Sequence, residues 1–499
     1  MAHTGTTQQY VLLPPRGLRA TGPGASPGVQ AFLRSAQPGS REVARSGGGQ
    51  VRFRVVDSIG DDGAKLIEAT PQEALALRSA QPSLRVVPVV YYSTAVAPRR
   101  QVRTPVPTLA RGITSTEPLT VRVVSESDCA PVAGAFVLAF TNLAASAGAQ
   151  AVTDGDGVAR LDLGGPSVPV ERLYVYPITA YWTMRQDGIT LTDGAEVQLH
   201  PLDLGYTDCL RYFYRNVSES AGEGVTVGVV DTGVTEHPDL VIDGGSNTVV
   251  GEDRNDLSDN GDGHGTHVAG IVAARGTPPT GIRGIAPGVK LRAYRVFGEG
   301  QNQTTNFAIA KGIDRAVSDE CDIVNLSLGG RAPDPVISAA VEDARALGSL
   351  CIAAAGNNGR GPVSFPAADE MAVAVSGLGR IGTFPDDAAE VDEITTPFGS
   401  DEADFIGGFS NVGPQVDLTA PGVAIISTYP GGYTEISGTS MAAPAVSGVA
   451  ARLLAGSAET LAAPRDGARS EAILALLVAS ARDRGFPDPL EGHGLPQPC

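Results

Sequence analysis

The spacing of apolar and polar residues changes along the chain and divides it into parts. From residue 206 to about residue 494, short β-rich apolar runs alternate with stretches of helical period. This order is typical of a mostly parallel sheet covered by helices, so we predict an α/β domain here. Its strands are predicted over residues 225–230, 291–296, 322–328, 350–355 and 371–375.

The beginning of the chain has a weaker pattern. Residues 1–50 are rich in Gly, Pro, Ser and Arg and lack a sustained period, which predicts a flexible segment. Residues 93–118 contain several Pro and Arg residues without a pattern and are predicted to be a linker. Between them, residues 51–92 predict a small α+β unit, with strands over residues 51–56, 65–68 and 84–92 and a helix over residues 71–80.

Residues 119–202 alternate apolar and polar positions in short runs separated by turn signals. This pattern predicts a small antiparallel β-sandwich. The sequence Pro-Val-Ala-Gly-Ala from Pro131, followed by Thr-Asp-Gly-Asp-Gly from Thr153, resembles carboxypeptidase regulatory-like domains. Asp154 and Asp156 could serve as calcium ligands, but a Gly-rich hairpin turn explains them without an ion.

Composition and charge narrow the range of partners. The 499 residues are 42% hydrophobic and 18% charged, as in a globular protein, and carry a formal net charge of −18. This charge argues against nucleic acid or an anionic membrane as the main partner, because phosphate binding needs clustered Lys and Arg. The N-terminus lacks the features of a secretory signal, so we expect a cytoplasmic protein. The five scattered cysteines, at 129, 209, 321, 351 and 499, are expected to be free thiols.

The candidate catalytic acid is Asp231, at the end of the apolar run of residues 224–230. Open parallel sheets carry their active sites at the carboxyl ends of strands, which favours a functional role for this residue. A turn or a helix cap is the structural alternative. The triplet Asp-Thr-Gly also marks pepsin-like aspartic proteases, but these need two such motifs and the triplet occurs once here.

The candidate general base is His264, in the sequence Asn-Gly-Asp-Gly-His-Gly-Thr-His of residues 260–267. It begins an apolar helix with small residues that allow another chain to approach closely. One histidine beside a buried carboxylate can act as a general base. His264 and His267 could instead form a metal pair, but a catalytic zinc needs a third ligand and none is near in the sequence. We expect His267 to be structural.

The candidate nucleophile is Ser440, in Gly-Thr-Ser-Met-Ala-Ala-Pro of residues 438–444. It is predicted to lie in the first turn of a long apolar helix, where free backbone N–H groups and the helix dipole favour a developing negative charge. A serine that only caps the helix is the structural alternative.

Taken in the order Asp, His, Ser, the three segments resemble the motifs of the subtilase family of serine peptidases. The resemblance continues through Ile-Val-Asn-Leu-Ser-Leu-Gly-Gly from Ile323 and Ala-Ala-Ala-Gly-Asn-Asn-Gly from Ala353, and it covers residues 206–494. It implies a subtilisin-like α/β fold and a serine endopeptidase that acts on protein or peptide substrates. It implies no required cofactor, with calcium as a structural ion left open.

The resemblance also implies a role for each residue. Ser440 would attack the scissile carbonyl, His264 would accept and return the proton, and Asp231 would orient the imidazole. Asn357 and the Ser440 N–H would bind the oxyanion. The substrate would add a strand against Ser327–Gly329 on one side and near Gly298–Gly300 on the other. Ala354–Gly356 would line the first pocket, which would accept an apolar or neutral side chain. The implied substrate-binding residues are Ser327, Leu328, Gly329, Gly298, Gly300, Ala354, Ala355 and Gly356.

Two parts of the chain depart from the family pattern. Between residues 375 and 409, an apparent insertion carries many acidic residues, for which a solvated loop is the expected explanation and a calcium loop or a lid the alternative. Asp239 resembles a calcium ligand of the family, but residues 275–281 lack the matching Asn-rich loop.

The N-terminal regions leave the regulation open. Residues 51–92 have the order of strands and helix of an inhibitor-like prodomain, yet a sandwich lies between them and the peptidase region, so we do not expect cleavage at a simple junction. A permanent regulator fits equally well. The sandwich is a candidate for recruiting another protein. The rival functions are therefore a latent scaffold protein and, from the metal-pair hypothesis, a metal-dependent hydrolase.

Overall fold

The computed structural model describes residues 6–20, 26–44, 50–105, 117–330 and 332–498. Cys499 and the part of the predicted linker at residues 106–116 lie outside them. Three units follow one another along the chain: an N-terminal unit, a pair of small sheets, and a large α/β domain. Within the described residues, no helix is long and apolar enough to cross a membrane.

The N-terminal unit is one antiparallel sheet with two helices, and its strands lie in the order β2-β3-β4-β1-β5. Its helix α2 is specified locally, because Thr70 and Glu73 form a reciprocal capping box before and within its first turn. The elements are β1 (Gln8–Leu13), α1 (Pro27–Ser35), β2 (Gly39–Ala44), β3 (Gln50–Ser58), β4 (Lys65–Ala69), α2 (Pro71–Ala80) and β5 (Arg85–Pro88).

The prediction of a flexible segment over residues 1–50 is wrong for most of the part that is described. Strand β1 lies inside the sheet, where Tyr10 is paired with Ile67 on one side and Pro88 on the other. Its last residues are buried in the core of the unit. The sheet therefore needs a strand that comes before the predicted unit, and Gly and Pro residues downstream obscured that strand in the sequence.

The second unit consists of two sheets, in the orders β13-β12-β9-β10-β7 and β11-β8-β14. Inward side chains of both sheets form one hydrophobic core, which includes Val121, Val137, Leu173 and Leu199. The strands are β7 (Thr104–Pro105), β8 (Leu119–Ser125), β9 (Phe136–Asn142), β10 (Ala147–Val152), β11 (Val158–Leu161), β12 (Ser167–Tyr176), β13 (Met184–Thr192) and β14 (Ala195–Leu199). We call this pair of sheets the sandwich.

The α/β domain is built on a sheet in the order β16-β17-β15-β19-β21-β22-β23, with β24 also beside β22. All neighbours are parallel except β22 and β23. Its strands are β15 (Thr226–Asp231), β16 (Gly245–Asn247), β17 (Lys290–Arg295), β18 (Thr304–Thr305), β19 (Ile323–Leu326), β20 (Leu328–Gly329), β21 (Leu350–Ala354), β22 (Val373–Arg380), β23 (Asp404–Ile406), β24 (Leu418–Pro421), β25 (Ile425–Tyr429), β26 (Gly432–Ile436), β27 (Ala481–Arg482) and β28 (Leu495–Pro496).

Helices cover this sheet, and the prediction of an α/β domain is confirmed. The five predicted strands are present with ends shifted by a few residues. The helices are α3 (Cys209–Phe213), α4 (His264–Ala273), α5 (Asn306–Ser318), α6 (Pro335–Ala346), α7 (Thr439–Gly456), α8 (Ala458–Ala462), α9 (Gly467–Ser480) and α10 (Asp488–Glu491), with a short 3-10 helix at Ala389–Glu393. Helices α4 and α7 are buried along most of their length, which explains why both are apolar on nearly every face.

Polar contacts attach the N-terminal unit to helices α5 and α6. Arg19 makes two hydrogen bonds of 2.7 Å to the carboxylate of Asp314 on α5. The N–H of Leu18 donates to Asp343 on α6 at 2.7 Å. Lys311 reaches back from α5 to Asp57 at 2.6 Å.

The acidic insertion is not a simple solvated loop. Asp404 is fully buried and is contacted by Arg380, at 2.5 Å, and by Arg484. Asp392 accepts hydrogen bonds from Arg172 and Arg185 of the sandwich, at 3.2 and 2.7 Å. Except for Arg380, the cations come from distant parts of the chain and could not be predicted from the local sequence. The insertion thus fixes the sandwich to the α/β domain.

A buried charge cluster fastens α9 to the centre of the sheet. One carboxylate oxygen of Asp322 accepts hydrogen bonds from Arg465 and Arg469, both at 2.7 Å. The other oxygen accepts the N–H of Thr226 on β15 at 2.8 Å. Asp322 and Arg469 are almost inaccessible to solvent. Asp322 is thus the shared counter-charge of the two arginines, which also donate to the carbonyl oxygens of Cys321 and Gly348.

Replacing Asp322 should therefore destabilise the domain strongly. We expect Asp322→Ala to lower the free energy of unfolding by about 3 kcal/mol, because two arginines lose their counter-charge in a buried place. Fluorescence of Trp182, the only tryptophan, follows denaturation because its ring is buried in the core of the α/β domain. The control is Glu196→Ala, which removes an exposed ion pair to Arg122 and should change the value by less than about 1 kcal/mol. Equal effects of the two substitutions would contradict this account.

Candidate active site

A buried ion pair joins the predicted acid and base. Asp231 is the last residue of β15 and His264 is the first residue of α4. The imidazole Nδ1 and the carboxylate Oδ1 are 2.7 Å apart, and both side chains are almost fully buried. The same Oδ1 accepts the N–H of Thr232 at 2.7 Å. With Nδ1 engaged, the ring presents Nε2, which has no hydrogen-bond partner within the described part of the chain.

Asp259 and Thr232 position the beginning of helix α4. Asp259 accepts the N–H of Gly263 and the hydroxyl of Thr232, both at 2.6 Å. Thr232 in turn accepts the N–H of Gly265 at 2.8 Å. At Gly265 a Cβ would come within 2.1 Å of the Gly233 carbonyl oxygen, so only glycine lets the helix approach β15 this closely.

The pKa values of the two neighbouring histidines, His264 and His267, shift in opposite directions. Burial lowers the pKa of His264, but the charge and hydrogen bond of Asp231 outweigh it, so the net pKa is raised above 6.5. Burial lowers the pKa of His267 to about 3, and its Nε2 is 3.0 Å from the carbonyl oxygen of Ile425. His267 is thus a neutral residue that holds β25 against α4, as expected for a structural histidine.

Ser440 lies in the first turn of α7 and is fixed by a chain of buried polar groups. Its Oγ donates to the carbonyl oxygen of Ser327 at 2.9 Å, and its own carbonyl accepts the Ser327 hydroxyl at 2.8 Å. Asn325 donates to the Ser327 hydroxyl at 2.9 Å and accepts the hydroxyl of Ser447 at 3.0 Å. This chain fixes the N-terminal half of α7 against β19, so that Ser440 lies at the carboxyl end of the sheet.

Asn357 follows β21 and is oriented by Thr439. Its Oδ1 accepts both the N–H and the hydroxyl of Thr439, at 2.9 and 3.1 Å. These bonds determine which end of the amide faces away from the helix. The Nδ2 group is buried and has no hydrogen-bond partner among the residues described. A buried amide N–H without an acceptor is available for a developing negative charge beside Ser440.

The cleft at Ser440 contains a segment of the same chain, which follows the N-terminal unit. The carbonyl oxygen of Ala95 accepts the N–H of Ser440 at 3.1 Å, and the Ala95 N–H donates to Ser327 at 3.2 Å. Beyond it, the N–H of Ala97 donates to Ser437 at 2.8 Å. At Gly438 a Cβ would lie 2.7 Å from the Ala95 oxygen, so glycine there makes room for the segment. The Ala95 carbonyl is thus directed at the N-terminus of α7.

The preceding residues form a strand, β6 (Tyr91–Thr94), between two edges of the α/β domain. Thr94 and Ser93 pair with Leu328 and Gly329 of β20, in agreement with the predicted substrate-binding edge. The other edge is β18, which pairs with Tyr91 and Tyr92.

The prediction that Gly298 and Gly300 would form the second edge is wrong. Both belong to a turn that packs on Asn260, whose side chain donates to the Gly298 carbonyl at 3.0 Å. The Gly300 N–H donates to the Asn260 carbonyl at 2.9 Å. The strand that pairs with β6 begins only at Thr304. The family resemblance implied an edge at these glycines, but they form a tight turn on Asn260.

The predicted pocket wall of Ala354, Ala355 and Gly356 is buried and is held by Asn411. The Asn411 amide donates to the Ala355 carbonyl at 3.2 Å, and its backbone N–H donates to Gly356 at 2.8 Å. It also donates to Ser364 at 3.1 Å. No role for Asn411 could be predicted from the sequence, because its partners Ala355, Gly356 and Ser364 come from distant parts of the chain.

Asp239, the residue that resembles a calcium ligand, joins two other parts of the chain. Its Oδ2 accepts the N–H of Ile282 at 2.8 Å and the hydroxyl of Tyr433 at 2.9 Å. In the described ranges, no cluster of three or more His, Cys, Asp or Glu side chains is arranged to hold a metal ion.

Comparison with known proteins supports the sequence resemblance. A sequence model described as the subtilase family matches residues 222–495. M-protease of Shouchella clausii is 39% identical over 231 residues, which are 46% of this chain and 54% of that protein. Subtilisin Savinase of Lederbergia lenta is 38% identical over 231 residues, 76% of its length, and subtilisin DY of Bacillus licheniformis is 38% identical over 239 residues, 77% of its length. The matched region thus spans about half of M-protease and three quarters of the two subtilisins.

The ion pair makes a testable prediction for the titration of His264. In Asp231→Asn the carboxylate charge is lost while burial remains, so the pKa of His264 should fall from above 6.5 to below it. NMR of protein with ¹³C-labelled histidine rings, recorded in a Ser440→Ala background, measures the midpoint directly. His200, an exposed residue of the sandwich beside Glu126, is the control and should titrate as before. An unchanged midpoint for His264 would mean that Asp231 does not hold its charge.

Proposed function

Because this chain belongs to the subtilase family, we propose that it is a serine endopeptidase that uses Ser440, His264 and Asp231. The observation that carries the proposal is the placement of a backbone carbonyl, that of Ala95, on the N–H of Ser440 at 3.1 Å. A peptide bound in this way offers its carbonyl carbon to the serine hydroxyl. Protein or peptide chains are the substrates that such a strand-shaped cleft accepts.

The first half of the reaction uses the two buried groups that lack hydrogen-bond partners among the described residues, Nε2 of His264 and Nδ2 of Asn357. For attack, the Ser440 Oγ turns from the Ser327 carbonyl toward Nε2 of His264, which accepts its proton. As the Oγ–C bond forms, the carbonyl oxygen gains charge and is stabilised by the Ser440 N–H and by Nδ2 of Asn357. Asp231 stabilises the imidazolium that results.

The second half returns the enzyme to its starting state. His264 donates its proton to the nitrogen of the leaving chain as the C–N bond breaks, which leaves an acyl ester on Ser440. Water then attacks the ester carbon while His264 accepts a proton from it. Collapse of this second tetrahedral species returns the proton to Oγ and releases the new carboxylate.

We further propose that the chain is made in a latent form, with residues 8–88 as an inhibitor-like prodomain. Support comes from β6, which occupies the cleft, from the contacts of Arg19 and Asp57 with helix α5, and from the contact of Leu18 with helix α6. The bond between Ala95 and Val96 is the one presented to Ser440. The sandwich follows this bond, so cleavage would leave the sandwich attached to the α/β domain.

The sandwich is proposed to be a permanent part of the mature enzyme and a carboxypeptidase regulatory-like module. Its attachment is supported by the ion pairs of Arg172 and Arg185 with Asp392 and by the contact of Thr183 with Glu390. The strands on its far side are free to recruit another protein. A chain in which the first cut never occurs would act only as a scaffold.

Self-processing tests the proposed function. The purified wild-type protein should lose its N-terminal unit and acquire a new N-terminus at Val96, whereas Ser440→Ala should remain intact. The time course is followed by intact mass and N-terminal sequencing. The matched control is Ser457→Ala, a serine at the far end of the same helix whose hydroxyl donates to Thr460 and does not contact the site. Loss of processing in both variants would indicate a folding defect, and equal cleavage of wild type and Ser440→Ala would contradict the mechanism.

Asn357 should stabilise the transition state of the reaction and contribute little to substrate binding. We expect Asn357→Ala to lower kcat on casein or a peptide substrate by about 100- to 1000-fold with little change in KM, which is the range established for an oxyanion-hole asparagine in subtilisin itself. A rise in KM with unchanged kcat would instead assign Asn357 to binding of the substrate in its ground state. Thermal unfolding checks that the Thr439 contact is not needed for folding.

A further inference from the structure

The deepest side chain of the cleft segment is that of Tyr92. Counting Ala95 as the first residue before the presented bond, Tyr92 is the fourth. Only 1% of its surface is accessible, whereas its neighbour Tyr91 is 57% exposed. The burial of a whole phenol ring shows that the cleft contains a defined pocket for the fourth side chain.

The wall of this pocket is shaped for a flat ring. At Gly330 a Cβ would lie 2.8 and 3.0 Å from two ring carbons of Tyr92. The absence of a side chain at this position therefore gives the ring its space. Small residues at the wall of a pocket admit large side chains on the ligand, so aromatic residues fit here.

The floor of the pocket carries a charge. The Tyr92 hydroxyl donates to Oδ2 of Asp334 at 3.2 Å, and the amide of Asn306 donates to the same oxygen at 2.9 Å. Asp334 is 2% exposed and Asn306 is fully buried. Burial and the Asp334 charge both raise the pKa of Tyr92, so the phenol stays protonated and remains a donor.

The orientation of Asp334 does not depend on the ligand. Asp334 is the N-cap of α6, and its Oδ1 accepts the N–H of Val336 at 2.8 Å. Asn306 is the first residue of α5, and its side-chain amide donates to the other carboxylate oxygen of Asp334, Oδ2, at 2.9 Å. The two helix ends therefore hold Oδ2 in the pocket, where a hydroxyl can reach it.

We propose that Asp334 makes this pocket select tyrosine over phenylalanine as the fourth residue before the cleaved bond. The inference rests on the proposed function and extends it to a substrate class, that of chains with a tyrosine three residues before a small residue at the cut. A phenylalanine ring would fill the same space but would leave a buried carboxylate oxygen with one donor fewer. Buried polar groups left unpaired are the strongest source of discrimination between two otherwise similar ligands.

The test uses protein that was purified as the full chain and then allowed to process itself. Its substrates are three fluorogenic peptides that end in Ser-Thr-Ala before the reporter. Their first residues are tyrosine, phenylalanine and 4-fluorophenylalanine, and the last two lack the donor. We expect kcat/KM to be about tenfold or more higher for the tyrosine peptide than for either of the others, as for a hydrogen bond to a charged acceptor. Because this comparison uses one protein, folding cannot affect it.

The variant Asp334→Ser tests whether the Asp334 carboxylate causes the preference for tyrosine. Serine is an equally good N-cap, so helix α6 keeps its first bond, but its short side chain cannot reach the phenol. The preference for tyrosine should fall to less than about threefold, because no charged acceptor is left for the phenol hydroxyl. Gly330→Ala, in contrast, should lower kcat/KM for all three aromatic peptides by similar factors and preserve the ratio among them.

The outcomes separate the two proposals. Ser440-dependent hydrolysis at equal rates for the tyrosine and phenylalanine peptides would overturn the inference and leave the peptidase function intact. A preference for tyrosine that persists in Asp334→Ser would assign it to another group and also overturn the inference. A protein that cleaves none of the peptides nor casein would contradict the proposed function, and the inference would fall with it.

Discussion

The contact between His264 Nδ1 and Asp231 Oδ1, 2.7 Å long and almost completely buried, is the constraint on which the rest of the site depends. It fixes the imidazole so that Nε2 faces the cleft, and it keeps the ring basic in a place where burial alone would make it a weak base. The surrounding architecture brings these two groups together. Asp231 ends a central parallel strand, and the Asp259 network holds the start of α4 against it.

The same edge of the sheet also positions the nucleophile and the groups that bind the carbonyl oxygen. Asn357 follows β21 and Ser327 follows β19, and both meet the first turn of α7, which carries Ser440. The carboxyl ends of parallel strands thus face two helix N-termini. This arrangement supplies N–H donors from the backbone of Ser440 and the side chain of Asn357, and it accounts for the chain's own segment being held by backbone contacts. Its affinity for extended peptides follows from the sheet, while discrimination among them requires pockets such as the one formed by Gly330 and Asp334.

Most of the candidate catalytic residues could be predicted from the sequence because they lie in short contiguous motifs. Asp231, His264, Ser440 and Asn357 each lie at the end of a strand or the start of a helix, where local pattern and role coincide, and the family assignment is confirmed. Groups that act across the chain could not be found in this way. Asp259, Asn411 and Asp334 are ordinary turn or cap residues until the fold supplies their partners.

The errors have the same origin. Strand β1 was expected to be flexible because its pairing partners, β4 and β5, are more than fifty residues away along the chain. The acidic insertion was expected to be solvated because its arginine partners come from the sandwich and from the ends of other strands. Gly298 and Gly300 were assigned to the cleft from the family resemblance, although the edge is formed by β18, a few residues further along the chain.

The most direct test of this account is the rate at which Ser440 reacts with a fluorophosphonate, measured by mass spectrometry while the N-terminal unit is being lost. The account predicts an adduct on Ser440 that appears in step with the species beginning at Val96, and protection of the serine in the species that still carries β6. Rapid labelling of the unprocessed chain would contradict the occupied cleft. Absence of any adduct on Ser440 after processing would contradict its role as an activated nucleophile.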